Sequence, residues 1–151
     1  MSGKASRDRG NRYERQLCPV LADPLDLAEV ITSRNGRGGS QGGADFMSRR
    51  HGDPGFTPGI CGWELDAKDV ASRQVPTWLT KAQTDATKTG LRWFAIVHKT
   101  RGEGDRLTHD RVYLPTRMLL DFLLYGAPTV DLYNCDDYVT LTLDQWCEIA
   151  S

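Results

Sequence analysis

Apolar and polar residues alternate through residues 62–70 (GWELDAKDV), the stretch around which the rest of the chain can be arranged. Read as a β-strand, it puts Trp63, Leu65 and Ala67 on one face and Glu64, Asp66 and Lys68 on the other, with Asp66 and Lys68 about 7 Å apart along the backbone. Upstream the period changes. Tyr13, Leu17, Val20 and Leu21 fall on one helical stripe, predicting a helix over 9–21 that Asp23-Pro24 stops. Short strands are expected at 28–32 and 44–47. Beyond the central strand a helix begins near Thr77, with Trp78, Leu79, Ala82, Asp85 and Ala86 on successive turns and Gly90 as its stop. Residues 91–99 are almost continuously apolar, as in a strand buried on both faces. A charged loop at 101–110 leads to a strand at 111–114. Pro115 then opens a helix with Met118, Leu119, Phe122 and Leu123 as its stripe and Gly126 at its end. Residues 130–133 and 138–141 suggest a small hairpin. A closing helix over 143–150 has Thr142 as N-cap. The order α-β-β-β-α-β-β-α describes one α/β domain with a mixed sheet: a flexible basic arm at 1–8, a main body at 9–126 and a C-terminal appendix at 127–151.

Composition narrows the class. The 151 residues are 39% hydrophobic and 26% charged, enough to bury one core. No run approaches the roughly 18 apolar residues of a membrane span, and the polar start lacks a signal-peptide core, so a cytoplasmic location is expected. Cys18, Cys61, Cys135 and Cys147 form no Cys-x-x-Cys pair and read as free thiols, and His51, His98 and His109 are too scattered for a zinc site. The net charge of −1 hides an asymmetry: residues 1–50 hold nine Lys/Arg against six acids, a basic front that suits a polyanion.

Residues 33–43 hold five glycines with Arg34 and Arg37. The Gly-Lys-Ser/Thr ending of a P-loop is missing. Close approach to a phosphate chain and a plain flexible linker both fit this composition. Asp45 emerges from that loop into a strand, as a turn residue or as a placed ligand. Glu14 sits beside Tyr13 at the border of the helical stripe. By itself the charged face of the central strand is equally that of a solvated edge strand.

Taken together, Gly10-Asn11-Arg12-Tyr13-Glu14, Gly-Gly-Ala-Asp-Phe at 42–46, Trp-Glu-Leu-Asp-Ala-Lys at 63–68, Lys-Ala-Gln at 81–83 and the buried strand at 93–99 resemble the PD-(D/E)xK nucleases. The likeness covers about residues 7–124. It is nearest in kind to the archaeal-type Holliday junction resolvases and the resolvase-like endonucleases of bacteriophages. It implies a restriction-endonuclease-like αβββαβ core. Asp45 and Asp66 would be metal ligands with the Ala67 carbonyl beside them, Lys68 would position or deprotonate the attacking water, Glu14 would complete the acidic site, and Gln83 would support Lys68 or the metal shell. The chain departs from the pattern in three places. Ala44 replaces the signature proline. Asp66 stands where resolvases usually carry Glu, so that Glu64 is a substitute or an accessory ligand. The connection from 46 to 62 is long.

The chemistry is coherent on its own terms. Phosphodiester hydrolysis needs an activated water and a neutralised leaving oxygen, and Mg²⁺, with Mn²⁺ able to replace it, serves both on a few carboxylates. Arg34 and Arg37, then Arg9 and Arg12, are the expected phosphate contacts. The expectation is a phage-encoded, Mg²⁺-dependent endonuclease acting on branched DNA as a homodimer, since a four-way junction needs two symmetric nicks. The alternatives are a restriction-like or single-strand nuclease of the same fold, and a non-catalytic DNA-binding protein on a degenerate nuclease fold.

Overall fold

The computed structural model describes residues 3–33, 44–100 and 107–151. Helix α1 (Gly3–Ala22) presents Tyr13, Leu17 and Leu21 to the interior, all fully buried. It begins well before residue 9, so most of the expected flexible arm is helix instead. Strands β1 (Leu27–Thr32) and β2 (Phe46–Arg50) pair antiparallel, and the two-residue β3 (Thr57–Pro58) pairs with β2. Strand β4 (Trp63–Lys68) is the central charged stretch. Helix α2 (Val75–Thr89) has Pro76 in its first turn and Gly90 as its left-handed C-cap, and it crosses to β5 (Trp93–His98), which runs parallel to β4. Strand β6 (Arg111–Pro115) lies antiparallel to β5 after a one-turn 3-10 helix, Leu107–His109. Helix α3 (Thr116–Leu124), β7 (Tyr138–Thr142) and α4 (Leu143–Ala150) complete the chain.

The architecture is mixed α/β with two sheets. One is antiparallel in the order β1-β2-β3, and the other is mixed, in the order β4-β5-β6-β7. The sequence suggested one mixed sheet, but the described strands form two, and between β3 and β4 the chain makes a tight isolated bridge from Ile60 to Trp63. The expected C-terminal hairpin does not form. Residues 130–133 contain no strand, and β7 pairs with β6 in full register from Arg111↔Thr142 to Pro115↔Tyr138. The appendix is thus the edge of the main sheet. Thr142 does cap α4, in a capping box with Gln145.

The two faces of β4 go to different layers. Trp63 packs against Trp93, Phe122 of α3 and Trp146 of α4 at ring-centroid distances of 6.0, 5.1 and 5.5 Å. Such a cluster buries a large apolar area and fixes the strand laterally. The opposite face carries Glu64, Asp66 and Lys68 beside Phe94, Ile96 and His98 of β5. Helix α2 covers it, with Trp78 edge-on to His98 at 5.1 Å. Helix α3 keeps most of its expected stripe: Met118 is buried and Leu119 and Phe122 pack against the core, but Leu123 is exposed with Leu120, Leu124 and Tyr125, and Asp121 is buried as well. Asp121 accepts bonds from Arg117, Thr129 and Tyr133 and so ties the following segment to the helix. The four cysteines are free thiols. Among the described residues, no helix is long and apolar enough to cross a membrane.

Gly59 couples the two sheets. Its N–H donates to the Phe46 carbonyl (2.8 Å), and its own carbonyl accepts from Ser48 Oγ (2.7 Å). Its φ is +78°, and a Cβ there would lie 2.3 Å from the Trp63 carbonyl oxygen. Gly62 also has a positive φ, +85°, but faces open space. Gly62→Ala should therefore cost about 1 kcal/mol from backbone conformation alone, whereas Gly59→Ala should cost roughly 2–4 kcal/mol because strain and a backbone clash combine. Equal losses in denaturant unfolding would contradict this role for Gly59.

Candidate functional site

Strand β4 lies at the edge of its sheet, so half of its backbone polar groups face away from β5. The Lys68 carbonyl accepts from Lys99 N on the β5 side (2.9 Å). Successive residues of a strand point their polar groups to alternate sides, so the N–H and carbonyl of Ala67 point to the free edge. There the Ala67 N–H donates to Asp45 Oδ2 at 3.1 Å. Asp45 reaches this edge because Ser33 N bonds its carbonyl at 2.9 Å and the β1–β2 ladder begins immediately afterwards at Thr32↔Phe46. A loop-terminal acid is thereby fixed on the strand that carries the acid-x-Lys triplet.

The Asp45 carboxyl is raised from its ordinary 3.8 to about 8. Burial is the main cause, followed by the charges of Asp66 and Glu14, while the Ala67 N–H and Lys68 pull it back. Glu14, predicted at the border of its stripe, is buried in α1 on the Asp45 side. Four expected site residues, Glu14, Asp45, Asp66 and Lys68, therefore share one electrostatic environment, with the Ala67 backbone among them.

Behind Asp66 the acids continue inward. Oxygens of Glu64, Asp66 and Asp85 lie within 4.8 Å of one another, and all three residues are buried, at 0, 4 and 4% exposure. As carboxylates, both Glu64 oxygens and Asp66 Oδ1 lack a hydrogen-bond partner. Burial, then Asp66 beside it, then Asp45 and Asp85, push the Glu64 carboxyl up to about 11. Without a cation such a cluster holds its charge down by keeping protons. Lys81, one turn before Asp85 on α2, bonds Asp85 Oδ2 at 2.9 Å and feels Asp66 and Asp45 more weakly. Hard divalent cations prefer carboxylate oxygens of this type, and buried oxygens without donors suit such an ion. Glu64, Asp66 and Asp85 are the residues placed to hold one, with Asp45 on the adjoining edge.

Gln83 is directed elsewhere. Its Oε1 accepts from Tyr133 N (2.8 Å) and its Nε2 donates to Tyr133 O (3.4 Å), a clamp on the segment after α3. The α2 groups that face the acids are Lys81 and Asp85. The sequence did hold the clue to Asp85, an acid on the buried stripe of an amphipathic helix. Arg9 and Arg12 are exposed on α1, and Arg34 and Arg37 lie outside the described residues.

No protein-family model matches this chain, and no characterised protein or solved structure matches it either.

The raised carboxyls set the sign of a pH effect. A group that binds its proton more tightly when folded contributes stability that is complete below its unfolded value and is lost as pH rises through the folded value. For Asp45 that loss runs from about 3.8 to about 8, and for Glu64 it continues from 4.5 towards about 11. Asp121 behaves oppositely. Burial would raise it, yet bonds from Tyr133, Thr129 and Arg117 hold it at about 2, so its contribution is lost only as pH falls below its ordinary 3.8. In EDTA the melting temperature should therefore fall between about pH 5 and about pH 9, and Glu64→Gln should flatten the decline. A flat or rising wild-type profile would contradict the raised carboxyls.

Proposed function

We propose that this chain is a metal-dependent endonuclease with a restriction-endonuclease-like core, of the Holliday junction resolvase type, in keeping with a bacteriophage enzyme. One observation carries the reading: Asp45 is hydrogen-bonded to the backbone of the strand whose Asp66-Ala67-Lys68 triplet borders a buried, donor-poor acid cluster. The order α1-β1-β2-β4-α2-β5, with β4 and β5 parallel, supports it. Homodimer formation also has support in the exposed apolar side chains Leu120, Leu123 and Leu124 on α3, available to a second copy.

In this reading Asp45 and Asp66 hold Mg²⁺ or Mn²⁺ at the edge of β4, next to the Ala67 carbonyl, and Glu64 and Asp85 supply oxygens from within. When bound, the ion supplies Lewis acidity toward the phosphate and lowers the pKa of a coordinated water. The protein contributes placement and charge. Lys68, half-buried on the same strand face as Asp66, puts an ammonium where negative charge grows on the phosphate. Glu14 adds negative charge beside Asp45 and favours a cation there. Lys81 pairs with Asp85 and orients its side chain. The role expected of Gln83 passes to Asp85 and Lys81, because Gln83 is occupied with Tyr133.

Asp45→Asn and Asp66→Asn should each lower Mg²⁺-dependent nicking by on the order of 10²–10³ or more while leaving DNA binding nearly intact. Glu64→Gln and Asp85→Asn should lower it less. The substrate panel is an immobile four-way junction, a fork, a linear duplex and a single strand, each with the same sequence. Paired nicks near the junction centre are expected. Equal cutting of linear duplex would remove the resolvase reading, and undiminished cutting by both Asn variants would remove the metal site.

A further inference from the structure

At the C-terminal end of the parallel pair β4–β5 a cleft of about 240 Å³ opens, lined by Val70, Ala71, Arg73, His98, Lys99, Thr100 and Arg111. Three of these side chains are cationic and, among the described residues, none that lines it is acidic. The fold gathers them from three places. Arg73 lies on the loop that leaves β4, Lys99 directly follows β5, and Arg111 starts β6, paired with His98. The acids beside these residues in the chain, Asp69 and Asp110, are engaged, and Lys99, with its Nζ 5.9 Å from the Tyr13 ring centre, also acts on Asp110. Asp110 is buried and accepts from Tyr13 (2.6 Å) and from Thr100 N (2.9 Å), and Asp69 is buried with an interaction of its own. The floor is fixed as well: His98 Nε2 donates to the Val70 carbonyl at 2.7 Å, and Lys99 N bonds the Lys68 carbonyl. Through that last bond the cleft adjoins Lys68. Arg73 and Arg111 are exposed, and Arg73 lies against the Tyr113 hydroxyl rather than a carboxylate.

We infer that this cleft, through Arg73, Lys99 and Arg111, binds the phosphate groups of the nucleic-acid strand that runs into the acid cluster. The assignment rests on the nuclease reading for the identity of the strand. Its chemistry, three cations around a polar-floored recess, selects phosphate. A parallel β pair commonly offers its ligand site at its C-terminal end, where Lys68, Lys99 and Arg73 stand. The recess is small beside a duplex, so it holds one or two consecutive phosphates rather than a groove.

The test compares the full-length Arg73→Ala/Arg111→Ala double variant with Lys88→Ala/Arg92→Ala. The control makes the same charge change in the last turn of α2 and just before β5. All four residues are exposed, so melting temperatures should match wild type and confirm folding. Anisotropy of a labelled oligonucleotide in EDTA, across a salt series, should show the cleft variant binding roughly tenfold more weakly. Its log K against log[salt] slope should be shallower by about 2, with the control unchanged. Inorganic phosphate added at constant ionic strength should displace the oligonucleotide only at millimolar levels or above. Equal weakening in both variants, an unchanged slope in the cleft variant, or loss of inorganic phosphate binding without loss of oligonucleotide binding would each overturn the assignment. Because binding is read without metal, the nuclease reading is scored separately. A chain that binds through the cleft and never cuts refutes only the enzyme, and a chain that cuts while the cleft variant binds normally refutes only the cleft.

Discussion

A single backbone hydrogen bond, from Ala67 N–H to the Asp45 carboxylate, brings two otherwise separate parts of this protein into one site. The strands fall into two sheets, and β4, at the edge of its own, would present an open edge without Asp45 beside it. An acid bound to that edge satisfies a strand N–H and places a second carboxyl group next to Asp66. Gly59 keeps the neighbouring backbones close enough for this to happen, and the tryptophan cluster around Trp63 prevents β4 from sliding. The aromatic side of the strand thus anchors the acidic side.

That arrangement is electrostatically costly. Unpaired buried carboxylates are several kcal/mol less favourable than the same groups in water, and a core selected only for stability would hold apolar residues at Glu64 and Asp85. Lys81 offsets part of the charge on Asp85, and protons on Glu64 and Asp45 offset more. A divalent cation would replace those protons and let all the acids ionise, which is the physical basis for reading the cluster as a metal centre rather than as tolerated strain. The basic cleft beyond Lys68 complements it, since a strand held by its phosphates there would lie alongside the acids.

Much of this was legible in the sequence. The alternation in 63–68 marked both faces of β4, Gly90 marked the end of α2, the unbroken apolar run marked β5, and Thr142 marked the start of α4. Asp45 and Glu14 were singled out through the resemblance to the nucleases, and the structure brings Asp45 to Asp66 and Glu14 to Asp45. What the sequence could not convey was direction. Gln83 and Asp85 are two residues apart on one helix, and only packing decides which one meets the acids and which one meets Tyr133. The C-terminal strand was assigned the wrong partner because its alternation is satisfied equally by a local hairpin and by the distant β6. Arg73 and Arg111 gave no signal, since they share a cleft only after β4, β5 and β6 are aligned.

Everything proposed for the acids depends on their affinity for a hard divalent cation. Mn²⁺ titration of the full-length protein, followed by calorimetry and by the paramagnetic signal of the ion, measures this without any assumption about substrate. The account predicts saturable binding with a rise in melting temperature. Asp66→Asn should abolish both, because Asp66 belongs to the edge and to the buried cluster at once. Wild-type protein that neither binds Mn²⁺ nor gains stability from Mg²⁺ at millimolar concentration would contradict the metal centre.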